Sequence, residues 1–222
     1  VAMPAVFSIT MALGALALSK RKAIVSRLEA IEEMAGVDIL CTDKTGTLTK
    51  NQLKLGDPIL IAAKDPQDVI LAGALASKIE DRDAIDTAVI EALKDQAVLT
   101  AYKQSKYVPF DPVTKRTAAT VTGAQGKPFV VTKGAPAAIV DFIKPAKDVA
   151  DSVKKTVDDL AARGYRALAV ARSEDNGATW ALLGILPMFD PPRDDSKVTI
   201  DLVTAKGVRV KMITGDDTAI AR

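Results

Sequence analysis

The stretch "DILCTDKTGTLTKN", residues 38–51, joins an apolar run to an aspartate, a lysine and a cluster of threonines around one glycine. Such a run reads as a buried strand that ends at Asp43 and opens into a loop. Near the other end, "VRVKMITGDD" (208–217) has the same grammar: an apolar strand, then Thr214, Gly215 and the acids Asp216 and Asp217. In a doubly wound parallel sheet, ligands bind beyond the carboxyl ends of the strands, where the strand order reverses. If these two strands are neighbours, Asp43, Thr45, Thr214 and Asp216 converge. The long segment between them is then an insertion with its own core. "FDPPRDD" (189–195) reads as the return linker, because its two prolines disfavour helix and stiffen the connection.

The bulk composition removes whole classes of chemistry. At 222 residues the chain can bury one large core or two smaller ones. A net charge of +2 is too balanced to argue for nucleic acid as a partner. With one cysteine and no histidine, disulfides within the chain, His/Cys metal sites and Ser-His-Asp or Cys-His nucleophiles are all excluded. Reactivity must rest on carboxylates, hydroxyls, lysines, arginines and backbone amides.

The pattern along the chain predicts a layered organisation. "VAMPAVFSITMALGALALS" (1–19) carries no charge, and Lys20, Arg21 and Lys22 follow at once. As a helix it would span about 28 Å, close to a bilayer's hydrocarbon core, with the cations on a cytoplasmic flank. A buried helix is the competing reading, and Pro4 interrupts the start. Helices are expected over 23–35, 66–80, 81–98, 134–143 and 148–164, the last capped by Gly164. "TAATVTG" (117–123) and "KPFVVTKG" (127–134) flank "AQG" as a hairpin, and "RALAVARSE" and "ATWALLGILPMF" are strands joined by "EDNG". Cys41 is expected to be a small buried strand residue.

A strand end that runs into a helix start offers backbone N–H groups and a favourable dipole to an anion. Lys44, Thr45, Gly46, Thr47 and Thr214 add a cation, hydroxyls and a permissive backbone, an environment that suits phosphate. Without histidine, the plausible nucleophile is a carboxylate, giving an aspartyl phosphate. Magnesium, held by carboxylate and carbonyl oxygens, would bring the two anions together. The plainer alternative is that Asp43 is a turn residue or a helix cap.

"DKTGTLT" (43–49) resembles the phosphorylation signature of P-type ATPases, within the haloacid-dehalogenase-like superfamily. "KGAP" (133–136), "DPPR" (190–193) and "TGD" (214–216) follow in the family's order. The resemblance is closest to the plasma-membrane proton pumps, through "AMPAVFSITMALG", "AIEEMAGVDILCTDKTGTLTKN", "DAIDTAV", "FDPVTKRTA" and "RALAVAR". It implies an α/β fold: an incomplete Rossmann-like parallel-sheet domain, an inserted α+β nucleotide-binding domain and an N-terminal transmembrane helix segment. The implied boundaries are 1–19 for a partial transmembrane helix, 20–55 and 187–222 for the phosphorylation domain, and 56–186 for the nucleotide-binding domain.

The resemblance implies roles residue by residue. Asp43 would be phosphorylated by ATP. Lys44 and Thr45 would help hold the phosphoryl group, with Asp43 and the Thr45 carbonyl on Mg2+. Thr214, Gly215 and Asp216 would lie beside the γ-phosphate. Phe110 would stack on adenine, with Asp83 and Asp86 as an acidic pair near it. Lys115 and Arg116 lie beside the Phe110 loop, and Lys133 and Gly134 would line the pocket. Arg166 would reach the phosphates, and Asp190 and Arg193 would form a hinge that also touches nucleotide. Each has a plainer alternative: Phe110 as a core aromatic, the cations as solvated charges, Asp83 as a helix cap, Asp86 as a surface acid, and Asp190 and Arg193 as linker chemistry.

The implied protein is a multi-pass plasma-membrane pump whose partners are ATP, the lipid bilayer and a transported cation, H+ being favoured, with residues 20–222 cytoplasmic. Both ends read as cut, so the chain is expected to be a fragment that binds ATP without pumping. A soluble phosphatase of the same superfamily is one alternative. It would need a general acid two residues after the nucleophile, where Thr45 stands. A noncatalytic nucleotide-binding module is the other.

Overall fold

The computed structural model describes residues 3–78, 83–123 and 126–214, arranged as two units. One unit runs through Lys44 and resumes at Asp194–Ile213; the other comprises Thr45–Arg193. Gly215 and Asp216, both expected near the phosphate, lie outside the described residues.

The first unit contains helices α1 (Met3–Lys20) and α2 (Glu29–Ala35), strand β1 (Ile39–Asp43), helix α7 (Ser196–Ala205) and strand β9 (Arg209–Ile213). β1 and β9 pair in parallel, Ile39 opposite Arg209 and Asp43 opposite Ile213. The two strands with matching grammar are therefore neighbours, as their sequences imply. No helix among the described residues is long and apolar enough to cross a membrane. This corrects the N-terminal transmembrane segment. α1 has 18 residues and includes the charged Lys20 in its last turn, with Pro4 in its first turn, so its uncharged helical stretch is shorter than the run at 1–19. The helix expected over 23–35 shortens to α2, because the chain leaves α1 through Lys22 in a left-handed conformation (φ 63°). Cys41 is exposed rather than buried, since β1 belongs to a sheet of two strands that covers little of either face.

The second unit is built on a seven-stranded sheet: β2 (Lys54–Leu55), β3 (Ile59–Leu60), β4 (Lys103–Asp111), β5 (Arg116–Thr122), β6 (Pro128–Gly134), β7 (Arg166–Ser173) and β8 (Ala181–Phe189). The order is β2-β8-β7-β6-β5-β4, with β3 also on β8, and every pairing is antiparallel. Alternation along the strands serves two cores. Val121, Val131, Val170, Leu186 and Met188 meet α3 (Pro66–Leu75) and α4 (Ala84–Glu91). Ala169, Ala171, Leu182 and Ile185 meet α5 (Pro136–Ile143) and α6 (Lys147–Ala162). β7 and β8, covered on both faces, read as nearly continuous apolar runs.

Local chemistry explains where elements stop. The helix expected over 81–98 divides in two. Asp83 caps α4 by accepting from the Ile85 and Asp86 N–H groups, and Asp95 caps a separate 3-10 turn at Gln96–Ala101. α6 ends at Arg163, followed by Gly164 at φ 78°. β4 was not legible in the sequence. Its charges and Pro109 disguise an edge strand, and the proline falls where the register shifts between Val108 and Asp111.

Gly184 on β8 is fixed by a close approach: a Cβ there would lie 2.4 Å from the Ile59 carbonyl oxygen. Gly184→Ala should therefore destabilise the chain by about 1–3 kcal/mol, read as a lowered urea midpoint with an unchanged m-value. An unchanged midpoint would show that β3 does not seat against β8 in this way.

Candidate functional site

β1 delivers Asp43 to its carboxyl end, where the carboxylate Oδ1 accepts from the Lys44 N–H at 2.7 Å. The next residues form a tight turn, with Thr45 extended (φ −77°, ψ 122°) and Gly46 left-handed (φ 78°). Glycine is the residue that takes that conformation without strain. The side chains of Asp43 and Thr45 are exposed. The β1–β9 register puts Ile213 opposite Asp43, and Thr214 is the next residue in the chain.

A second cluster sits where the chain enters and leaves the seven-stranded sheet. The Gly46 N–H donates to Thr49 Oγ1 at 3.2 Å, and Thr49 Oγ1 donates to Asp190 Oδ2 at 2.5 Å. Asp190 Oδ1 accepts from the Gln52 N–H at 3.0 Å. Backbone bonds from Lys50 N to Pro191 O and from Arg193 N to Leu48 O, each 2.9 Å, complete the clasp. Both Asp190 oxygens thus bind the crossing segments together, and through Thr49 the carboxylate reaches the turn that follows Asp43. Thr49 lies inside the quoted motif, yet no pattern in the sequence announces this partnership across 141 residues. Arg193 is exposed, and so is Arg166 at the start of β7, opposite Met188.

The third cluster lies on the α3–α4 face of the sheet. Lys133 on β6 is buried, 3% exposed, with its Nζ 2.5 Å from Asp86 Oδ1 and also donating to Ser77 Oγ. Asp86 Oδ2 accepts from the Lys78 N–H at 2.8 Å, and Ser77 is held at the end of α3 by its bond to the Gly73 carbonyl. Asp83, the α4 cap, orients Asp86 by accepting from its N–H at 3.2 Å. Asp86 is therefore a buried ion-pair partner, not a surface acid. Nothing in the residue pattern marks Ser77 beyond its place after an apolar helix. Burial pushes the Lys133 ammonium below its usual value, and the Asp86 carboxylate opposes that shift.

Gly134 is fixed beside this pair, because a Cβ there would meet the Lys115 carbonyl oxygen at 2.4 Å. The same carbonyl accepts from the Ala135 N–H at 3.0 Å, which seats the 111–115 turn, with Lys115 at φ 50°, against the start of α5. Phe110, one residue before that turn, is 60% exposed. Arg116 is not brought to Lys133. Its neighbour Thr117 bonds the Ala76 carbonyl on the α3 side, so alternation puts Arg116 on the other face, over the Phe142 ring.

The relatives of this sequence match it from end to end. A protein of Methanocaldococcus jannaschii named as a cation-transporting ATPase is 50% identical over 224 residues, covering 100% of this chain and 27% of its own length. The plasma membrane ATPase of Kluyveromyces lactis and plasma membrane ATPase 1 of Saccharomyces cerevisiae are each 44% identical over 232 residues, again across the whole chain, covering 26% and 25% of those proteins. Over its whole length the chain fits a segment of P-type ATPases. No family model matches it. The chain spans about a quarter of the length of these P-type ATPase relatives.

The buried lysine sets a pH dependence. Its folded pKa lies below the 10.5 of the unfolded chain, so the unfolded state holds the proton to higher pH. Stability then rises as pH climbs from the lowered folded value toward 10.5. Urea unfolding across that window should show the rise in the native chain and its loss in Lys133→Met. An identical slope in the two proteins would contradict it.

Proposed function

We propose that this chain is the nucleotide-binding and phosphoryl-accepting part of an ATP-driven cation pump of the plasma membrane, with H+ as the cation. The observation that carries the reading is end-to-end similarity to plasma membrane ATPases in a chain that sets "DKTGTLT" at the end of β1. The parallel β1–β9 pair with α7 is the part of a haloacid-dehalogenase-like, Rossmann-like domain that this reading requires. Residues 20–222 are assigned to the cytoplasm.

In this reading an Asp43 carboxylate oxygen attacks the γ-phosphorus of ATP. The bond to the β,γ-bridging oxygen breaks, and ADP leaves with that oxygen's electron pair. Lys44 offsets the charge on the transferred group, and Thr214, Gly215 and Asp216 lie beside the γ-phosphate. The Asp43 carboxylate and the Thr45 carbonyl are hard oxygen donors that suit Mg2+, which keeps waters and binds through substrate phosphates rather than a full protein cage. Bound Mg2+ would supply charge neutralisation. Thr45 has no carboxyl to activate water at the acyl phosphate, so the phosphorylated state persists until another element removes it.

Phe110, exposed at the lip of β4, stacks on adenine. Asp83, Asp86, Lys133, Gly134 and Lys115 build the floor beneath it, with the buried Lys133–Asp86 pair acting through its hold on β6 and α4. Arg166 and Arg193 reach toward the phosphates. Asp190 acts as a positioning residue through Thr49.

Equilibrium titration with ATP tests the pocket. Phe110→Ala should weaken binding at least about tenfold, equivalent to roughly 1.4 kcal/mol, while leaving the urea midpoint unchanged because the ring packs against little. Unaltered affinity would remove Phe110 from the nucleotide site.

A further inference from the structure

The face of the sheet opposite the Lys133–Asp86 pair carries a pocket of about 380 Å3 where β4 and β5 extend past α5. On β5, Arg116, Ala118 and Thr120 turn to this face, alternating with Thr117, Ala119 and Val121 on the other. On β4, Lys106 lies opposite Thr120 and Val108 opposite Ala118. Val130 of β6 continues the floor. α5 contributes Phe142 and the β7–β8 loop contributes Trp180, the rings meeting edge to face at 5.2 Å.

Two features set this pocket apart from an ordinary surface hollow. First, it holds two cations and no acidic residue lines it. The Arg116 guanidinium stacks on the Phe142 ring at 3.8 Å, and neither Arg116 nor Lys106 has a carboxylate partner among the described residues. A guanidinium stacked on a ring keeps its N–H donors in plane and available to a carboxylate. Second, the rim is held in place. Asp175 accepts from Ser173 Oγ at 2.7 Å, from the Thr179 N–H at 2.8 Å and from Thr179 Oγ1 at 2.6 Å. The Gly177 N–H donates to Ser173 Oγ at 2.8 Å, and Trp180 Nε1 donates to the Gly177 carbonyl at 3.1 Å. The aromatic wall is thus organised before any ligand arrives.

We propose that this pocket binds a flat aromatic acid carrying anionic groups at its two ends. Arg116 and Thr120 are four residues apart on β5, about 14 Å along the strand, and Lys106 stands opposite Thr120. The two cations therefore enter from opposite ends. Between them Val108, Ala118 and Val130 form an apolar floor under the Phe142–Trp180 wall. An aliphatic diacid would forgo the ring contacts, and a neutral aromatic would forgo both charges. The volume falls within the usual range for small-ligand sites, about 300–1,000 Å3. The site is separate from the proposed nucleotide pocket, because the sheet itself lies between the two faces.

Calorimetric titration of the whole chain with 2,6-naphthalenedicarboxylate, 2-naphthoate and 2-naphthamide tests this, with quenching of Trp180, the sole tryptophan, as a second readout. The dicarboxylate should bind saturably and at least about tenfold more tightly than the neutral amide, with 2-naphthoate between them. Arg116→Gln and Lys106→Gln should each weaken the dicarboxylate severalfold. Lys106 is exposed, so its substitution leaves the fold intact and keeps the test decisive. Saturating ATP should leave binding unchanged. Absence of saturable binding, equal binding of the amide, insensitivity to both substitutions, or displacement by ATP would each overturn the proposal.

Discussion

A lysine ammonium in the interior of a sheet is untenable alone, and the second unit is arranged around making Lys133 tenable. Desolvating an unpaired charge costs several kcal/mol. Asp86 supplies the countercharge, Ser77 a further acceptor and the Lys78 N–H the partner for the second carboxylate oxygen. That network joins β6 to the end of α3 and the start of α4, so one ion pair fixes how two helices meet the sheet. A buried pair of this kind is weak evidence for stability, since an apolar pair of equal volume often does as well. Its presence in an otherwise apolar cluster fits a role in setting geometry.

The fold was legible where periodicity was clean. β7 and β8, the β5–β6 hairpin and α6 carried their patterns openly, and the shared grammar of "DILCTD" and "VRVKMITGDD" foretold the parallel pairing of β1 with β9. Legibility failed where a tertiary partner overrode a local signal. Lys103–Asp111 carries no clean strand pattern, because an edge strand needs neither an apolar face nor an unbroken ladder. Cys41 reads as core because its strand is apolar, yet the two-stranded sheet leaves it open. The run at 1–19 reads as a membrane span, while α1 itself falls short of one.

The candidate site divides in the same way. Residue chemistry nominated Asp43 and the family resemblance nominated Lys133, Asp86 and Asp190, but their partners were invisible. Thr49 and Ser77 are bonded across distances in sequence that no local pattern encodes. Arg116 was nominated with Lys115 because the family resemblance sets both beside the Phe110 loop. The two-residue alternation of a strand sends such a neighbour to the other face, where it joins Phe142. Adjacency in a strand separates functions as readily as it joins them, and the two faces of β5 are an instance.

Engagement of nucleotide by the Lys133 face of this sheet, as proposed, is open to amide hydrogen exchange of the whole chain with and without saturating ATP. Exchange should slow around Phe110, in the 111–115 turn and at Lys133–Ala135, with the Asn176–Trp180 rim of the opposite face unchanged. Protection confined to that rim, or no protection at the Phe110 lip, would contradict it.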